Sequence, residues 1–302
     1  MQENAVKGKH KDKQSYANKR TTGKEQYYTS PHAVDLCLKE VQKHIDLTDK
    51  LILEPAGGTG EFIKGLQRIG IANDKILSYD IEPKHELVRQ QDFLNLRYWY
   101  SNNMVSITNP PFGRMSTLAI KFFNHSAKHC NYICYLIPKS WRKWTTINRL
   151  DDNFHLIADI DMPNDCFYNP DQESKKGVLN TVFQIWEKRD VKRSKIQIPD
   201  HKLIKKINKN KQGEIVGANF SMVVFGHSCG RCEDVNDDVI PYKTTTMYMY
   251  IEKDEVKQAL REIDFSCFYK NVAYVEALSI QEINYKLNEY FHLSNYNFEE
   301  LQ

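Results

Sequence analysis

The stretch LILEP, AGGTGEF, FIKGLQRIG and KILSYDIEP, running from residue 51 to residue 83, constrains this chain more than any other. A short apolar run ends in Glu54, breaks into a glycine turn and passes into an amphipathic helix. A second apolar run then ends in Asp80 and Glu82. Strand, turn, helix and strand in that order make a βαβ unit, which commits the chain to a parallel sheet.

The alternation continues. MVSIT reads as a strand ending in the turn NPPFG, STLAIKFFNHSAKHC as a helix, and YICYLIPKSW as a strand. HLIADIDMP and VLNTVFQIWEK supply two more strands. Ahead of them, PHAVDLCLKEVQKHI sets Val34, Cys37, Leu38, Val41 and Ile45 at helical spacing, with Ser30 as N-cap and Pro31 in the first turn. Residues 25–189 are therefore expected to form an α/β domain, a mostly parallel sheet with helices on both faces.

Beyond residue 190 the texture changes. NFSMVVFGHSCG, TTTMYMYIE and VAYVEALS read as strands, and DEVKQALREI and SIQEINYKLNEYF as helices. This predicts a smaller α+β region over 190–302. Residues 1–24 are polar and basic and read as a disordered arm.

Composition bounds the partners. Hydrophobic residues make up 41% and aromatics 12% of the 302 residues, enough for a sizeable core. No run reaches the roughly 18 apolar residues of a membrane span, and the N-terminus lacks the apolar core of a secretory signal. The expectation is a soluble, cytoplasmic protein. Net charge is only +3, but the basic residues cluster. One group lies between Lys7 and Lys24; another runs from Lys192 to Lys211. Each reads either as a solvated segment or as a phosphate-backbone contact.

The seven cysteines are odd in number and irregular in spacing, which excludes a disulfide framework. Cys229-Gly-Arg-Cys232 has no second ligand pair to complete a zinc site, so no metal is expected and a glycine turn is the better reading.

Four motifs carry chemistry. In Glu54-Pro-Ala56-Gly-Gly58-Thr-Gly60 the glycines permit close approach of a ligand. An acid precedes the loop and Glu61 follows it, so a cationic small ligand is favoured over a pyrophosphate. Asp80 stands 20 residues beyond Gly60, where it can accept both hydroxyls of a ribose, with Glu82 as its rival. In Gln91-Asp92-Phe93, Asp92 can accept from an exocyclic amine and Phe93 can cover a ring, although the same residues also suit a turn. Most specific is Asn109-Pro110-Pro111-Phe112. The prolines hold the backbone extended. The Asn109 side chain and the Pro110 carbonyl can then accept from one amino group, while Phe112 offers its ring a flat face.

Together these segments resemble the class I S-adenosylmethionine-dependent methyltransferases, and among them the gamma group of DNA adenine-N6 methyltransferases. EPAGGTG is similar to that family's cofactor loop, NPPF to its catalytic tetrapeptide, and KEQYYTSP to the segment closing over the methionine. The resemblance covers residues 24–189 and implies a Rossmann-like methyltransferase fold with S-adenosyl-L-methionine as cofactor.

It implies that Tyr28, Thr29 and Pro31 line the methionine end, and that Glu54, Ala56, Gly58 and Gly60 surround the methionine and its ammonium. Asp80 would take the ribose, and Asp92 and Phe93 the adenine. Asn109 and Pro110 would accept from the target amine, Phe112 would stack on the flipped base, and Phe183 is a candidate second stacking face. Trp141, Arg142 and Lys143 in SWRKW suit a substrate rim, and equally a packed tryptophan pair with solvated charges.

The partner so implied is double-stranded DNA, with or without a restriction endonuclease acting alongside, and residues 190–302 would read the target. RNA is the alternative polymer. A protein glutamine is less favoured, because the related tetrapeptide there ends in Tyr. A cytosine-N4 enzyme more often begins its tetrapeptide with Ser. A binding module without activity fits poorly with the full set of Glu54, Asp80, Asp92 and Asn109.

Overall fold

The computed structural model describes residues 27–97, 100–168 and 179–295. The basic N-terminal arm lies outside them.

Seven strands form the central sheet: β2 (Leu51–Glu54), β3 (Ile76–Asp80), β4 (Val88–Gln90), β5 (Met104–Thr108), β6 (Tyr132–Pro138), β7 (Phe154–Asp161) and β9 (Thr181–Lys188). A ribbon of two short strands, β1 (Tyr28–Thr29) and β8 (Phe167–Tyr168), pairs antiparallel outside the sheet. The order across the sheet is β4-β3-β2-β5-β6-β9-β7. Six of the seven strands run in one direction, and β9 alone among them is antiparallel to both its neighbours. This is a Rossmann-like α/β architecture, a mostly parallel sheet with helices on both faces.

The pleat explains the two cores. Successive side chains on a strand point to opposite faces. Val105, Ile107, Cys134, Leu136, Phe183 and Ile185 therefore join α1 (Pro31–His44) and α2 (Glu61–Arg68) on one side. Met104, Ile133, Tyr135, Ile137, Val182 and Trp186 join α3 (Thr117–Ser126) on the other. Helix α1 begins where the pattern predicts: Pro31 is its first residue and the Ser30 hydroxyl accepts from the Ala33 N–H at 3.3 Å.

The short helix α4 (Trp144–Ile147) leads from β6 towards β7. Residues 203–291 build a second layered unit. Strands β10 (Lys205–Ile207), β12 (Phe220–Val223), β13 (Cys232–Asp234) and β15 (Thr246–Tyr250) form a sheet in the order β10-β15-β12-β13. Its Phe220, Met222, Met247 and Met249 pack with residues of α5 (Asp254–Glu262) and α7 (Ile280–Tyr290). The ribbon of β11 (Glu214–Val216) and β14 (Val239–Pro241) contributes Ile215 and Ile240 to a cluster around Tyr248. The one-turn helix α6 (Ser266–Tyr269) follows α5.

Two expectations change here, and one strand is added. The segment 272–279 is not a strand; it makes one isolated bridge, between Phe225 and Ala277. The basic run 192–211 is not a uniform solvated segment, since it contributes β10, and Arg193 donates to the carbonyls of Phe154, Ile147, Leu150 and Asp151. The edge strand β4 is three residues long and carried no visible pattern. The CGRC segment is a turn with Gly230 at φ 95°, and among the described residues no group of three His, Cys, Asp or Glu is placed to hold a metal.

Candidate active site

In an open α/β sheet, ligands bind beyond the carboxyl ends of the strands where the strand order reverses. That point here lies between β2 and β5. A pocket of about 480 Å³ occupies it, lined by the ends of β2, β3 and β5 and by the segment that follows β4.

Glu54 closes β2 and is almost fully buried. Its Oε2 accepts from the Ser78 hydroxyl at 2.7 Å. Burial pushes its carboxyl up to about 8; the Ser78 bond opposes the shift and nearby Asp80 adds to it. The carboxyl is therefore mostly neutral near pH 7, and a cation bound beside it would draw the proton off.

The glycine loop is held from two sides. The Gly57 N–H donates to the Tyr79 carbonyl at 2.9 Å, and the Gly58 N–H to Asp80 Oδ2 at 2.9 Å. Gly58 has φ 48°. A Cβ on Gly57 would lie 2.2 Å from the Ser78 hydroxyl oxygen, so this floor takes no side chain.

Asp80 ends β3. Besides Gly58 it accepts from the Glu82 N–H at 2.8 Å. A carboxylate offers about four lone-pair sites, so two remain for a ligand's hydroxyls. Asp92 caps a short turn, accepting from the Leu94 N–H at 3.0 Å and from Asn95 Nδ2 at 2.8 Å. It serves as the turn acid and lines the pocket as well.

Asn109 follows β5. Its Nδ2 donates to the Tyr27 carbonyl at 2.8 Å. Among the described residues its Oδ1 is buried with no hydrogen-bond partner. An unpaired buried acceptor costs about 1–3 kcal/mol, and a ligand donor reaching this oxygen would remove that cost. Phe112 is 5% exposed and packs against Tyr27 and Phe167.

Tyr28, Thr29, Glu54, Ala56, Gly58, Asp80, Asp92, Phe93, Asn109, Pro110 and Pro111 therefore meet around one pocket. Others do not. Pro31 is exposed at the start of α1 and opens that helix. Gly60, at φ 74°, is the residue from which α2 starts, packed so closely on His85 that a Cβ would come within 2.4 Å of its ring.

The outer candidates need correction. Phe183 is fully buried in the α1-side core, so it is no stacking face. Trp141 is fully buried against Phe123. Arg142 is held by Asp159, at 2.5 Å, and by Asp161, at 2.8 Å. Lys143 pairs with Glu282 at 2.9 Å and donates to the Ala277 carbonyl at 3.1 Å. SWRKW thus packs the domain and joins it to the second unit; its charges are neither a substrate rim nor solvated.

The pocket also takes residues that the motifs did not announce. Tyr27 covers the Asn109 end, and Ile81, 55% exposed, follows Asp80 at its rim. An apolar residue directly after the strand-ending acid was the available signal. Leu118 and Phe122 reach the pocket from α3, where they read as ordinary core positions.

No family model matches the chain, and no curated protein matches it. Solved structures do. A provisionally assigned RNA methyltransferase of Pyrococcus horikoshii is 14% identical with a TM-score of 0.44, over 55% of this chain and 88% of that one. The modification subunit of a provisionally assigned type I restriction enzyme from Vibrio vulnificus is 15% identical with a TM-score of 0.40, over 61% of this chain and 50% of that one. The 23S rRNA methyltransferase ErmE is 12% identical with a TM-score of 0.37, over 55% and 71%.

Proposed function

We propose that this protein transfers a methyl group from S-adenosyl-L-methionine to the N6 amino group of adenine in DNA. The observation that carries this reading is the buried, unpartnered Asn109 Oδ1, which heads the Asn-Pro-Pro-Phe turn at the sheet's reversal point. Such an oxygen takes an N–H or an O–H donor. An exocyclic amine supplies one, whereas a carbonyl does not.

The neighbouring groups support the same cofactor. Glu54 and the glycine loop would hold the methionine and its ammonium, Asp80 the ribose hydroxyls, and Asp92 with Ile81 the adenine; the Phe93 ring, 1% exposed in the α3-side core, offers the adenine no open face. When bound, the cofactor supplies an electrophilic methyl on a sulfonium. Asn109 Oδ1 and the Pro110 carbonyl would accept the two amine hydrogens, turning the nitrogen lone pair out of the base plane towards that methyl. The cofactor would give up its methyl and be left as a neutral thioether, and the amine held by Asn109 and Pro110 would release its extra proton to solvent. Positioning supplies most of the remaining acceleration.

The base must leave its duplex, at a cost of a few kcal/mol. Stacking on Phe112 returns about 1–3 kcal/mol of that. The C-terminal unit would read the surrounding sequence.

The test is labelled cofactor with either mixed-sequence duplex DNA or total RNA, digested to nucleosides and identified by mass. N6-methyldeoxyadenosine is the expected product. N6-methyladenosine in the RNA arm only would move the reading to RNA. N4-methyldeoxycytidine would keep the chemistry and change the base.

A further inference from the structure

Tyr27 does two things at the mouth of the pocket. Its carbonyl takes the Asn109 Nδ2 hydrogen, which turns the amide so that Oδ1 is the end left without a partner. Its ring lies 5.5 Å from the Phe112 ring at an interplanar angle of 33°, and 5.5 Å from Phe167. Phe112 is left 5% exposed. The aromatic face beside the acceptors is thus already covered by an aromatic ring of this chain.

A base cannot slip between the two as they stand. Carbon atoms pack at about 3.5 Å or more, so a sandwiched base needs ring centroids about 7 Å apart. The rings are closer than that. Either Tyr27 leaves or no base reaches Phe112.

Besides its contacts with Asn109, Phe112 and Phe167, Tyr27 is held from the other unit. Its hydroxyl is 2.8 Å from the hydroxyl of Tyr274. Tyr274 and its neighbour Val275 are 49% and 44% exposed, within reach of an incoming polymer.

We propose that the Tyr27 ring is a resident occupant of the base seat, latched by Tyr274, and that the target base enters by exchanging with it. This rests on the reading that the site takes a flipped base. The Tyr27 carbonyl is a positioning group that presents Asn109 as an acceptor. Contact of nucleic acid with the Tyr274 surface releases the latch, so the seat opens when polymer is present. A closed majority state weakens apparent affinity by the fraction that is open.

Tyr274→Phe keeps the ring and removes the latch hydroxyl. Its KM for mixed-sequence duplex DNA should fall about fivefold, the effect of losing one ordinary hydrogen bond, with kcat held. Tyr27→Ala removes the ring but keeps the carbonyl, and should also lower KM. A higher KM in Tyr27→Ala, with cofactor binding intact by calorimetry, would make Tyr27 a stacking wall and overturn the exchange.

A second arm needs no substrate. With 3-fluorotyrosine at position 27, the fluorine resonance should move towards that of free fluorotyrosine when Tyr274→Phe is introduced. An unmoved resonance overturns the latch. A moved resonance in a protein that methylates no nucleoside would sink the methyltransfer reading and leave the latch standing.

Discussion

Glu54 is the residue whose environment says most about the site. Burial pushes its carboxyl up to about 8. An unfolded chain would lose that proton near pH 4.5. Between those values the native state holds more protons than the unfolded state, so this contribution to stability is complete below about pH 4.5 and is lost as pH rises through about 8. Melting temperature should fall across that window, and Glu54→Gln, which mimics the protonated form, should flatten the fall. A profile unchanged by the substitution would mean that Glu54 is not the titrating group. Calorimetric affinity for S-adenosylmethionine should rise over the same interval, because the carboxylate form is the one that pairs with an ammonium.

At Gly57 the issue is space. Gly57→Ala would drive a methyl into Ser78 and Val88, and displace the hydroxyl that satisfies Glu54. Overpacking of this kind costs about 1–3 kcal/mol. A lowered urea midpoint together with weakened cofactor binding would check it. Glu54, Asp80 and Asn109 were legible in the sequence because each ends an apolar run, where a parallel sheet exposes side chains to the crevice. Phe183 was not, since an apolar run looks the same whether its aromatic faces a core or a ligand.

Among the elements, the two-stranded ribbons did most of the unannounced work. Strands β1 and β8 are two residues each, separated by more than 130 positions, and their pairing sets Tyr28 opposite Tyr168. No local pattern encodes a contact that short and that distant. The three-residue β4 escaped for the same reason, although it carries the chain to Asp92. The SWRKW segment was left open between a substrate rim and a packed tryptophan pair, because charge and aromaticity on a loop suit either; Trp141 is packed, but its neighbours' charges are held in a network and not solvated. Tertiary structure decided it: Lys143 is largely buried, and Glu282, 3% exposed, also makes the Ser279 capping box of α7. Lys143→Ala should cost about 3 kcal/mol, since it strands a buried carboxylate. A urea midpoint within error of wild type would show that the pair adds nothing.

At the scale of the whole molecule, the fold came from one repeated decision. Each apolar run long enough to be buried on both faces became a sheet strand, and the strand order placed the acid-ending runs side by side. The C-terminal unit was less legible. Its strands are short, its basic segment contributes an edge, and VAYVEALS lacks a partner strand despite its β-forming composition. Among the described residues no helix is long and apolar enough to cross a membrane. The two units meet at Tyr27–Tyr274, Lys143–Glu282 and Asn180–Ala273, and of these Tyr27 also touches Asn109 and Phe112.

The central claim is that Asn109 holds the amine that is methylated. The most direct measurement pairs Asn109→Ala with wild type in two assays, calorimetric binding of S-adenosylmethionine and methyl transfer to duplex DNA. The account predicts cofactor affinity within about twofold, with transfer lower by about a hundredfold or more, the scale of losing one preorganised electrostatic contact to a reacting group. Undiminished transfer in Asn109→Ala, or loss of cofactor binding along with transfer, would contradict it.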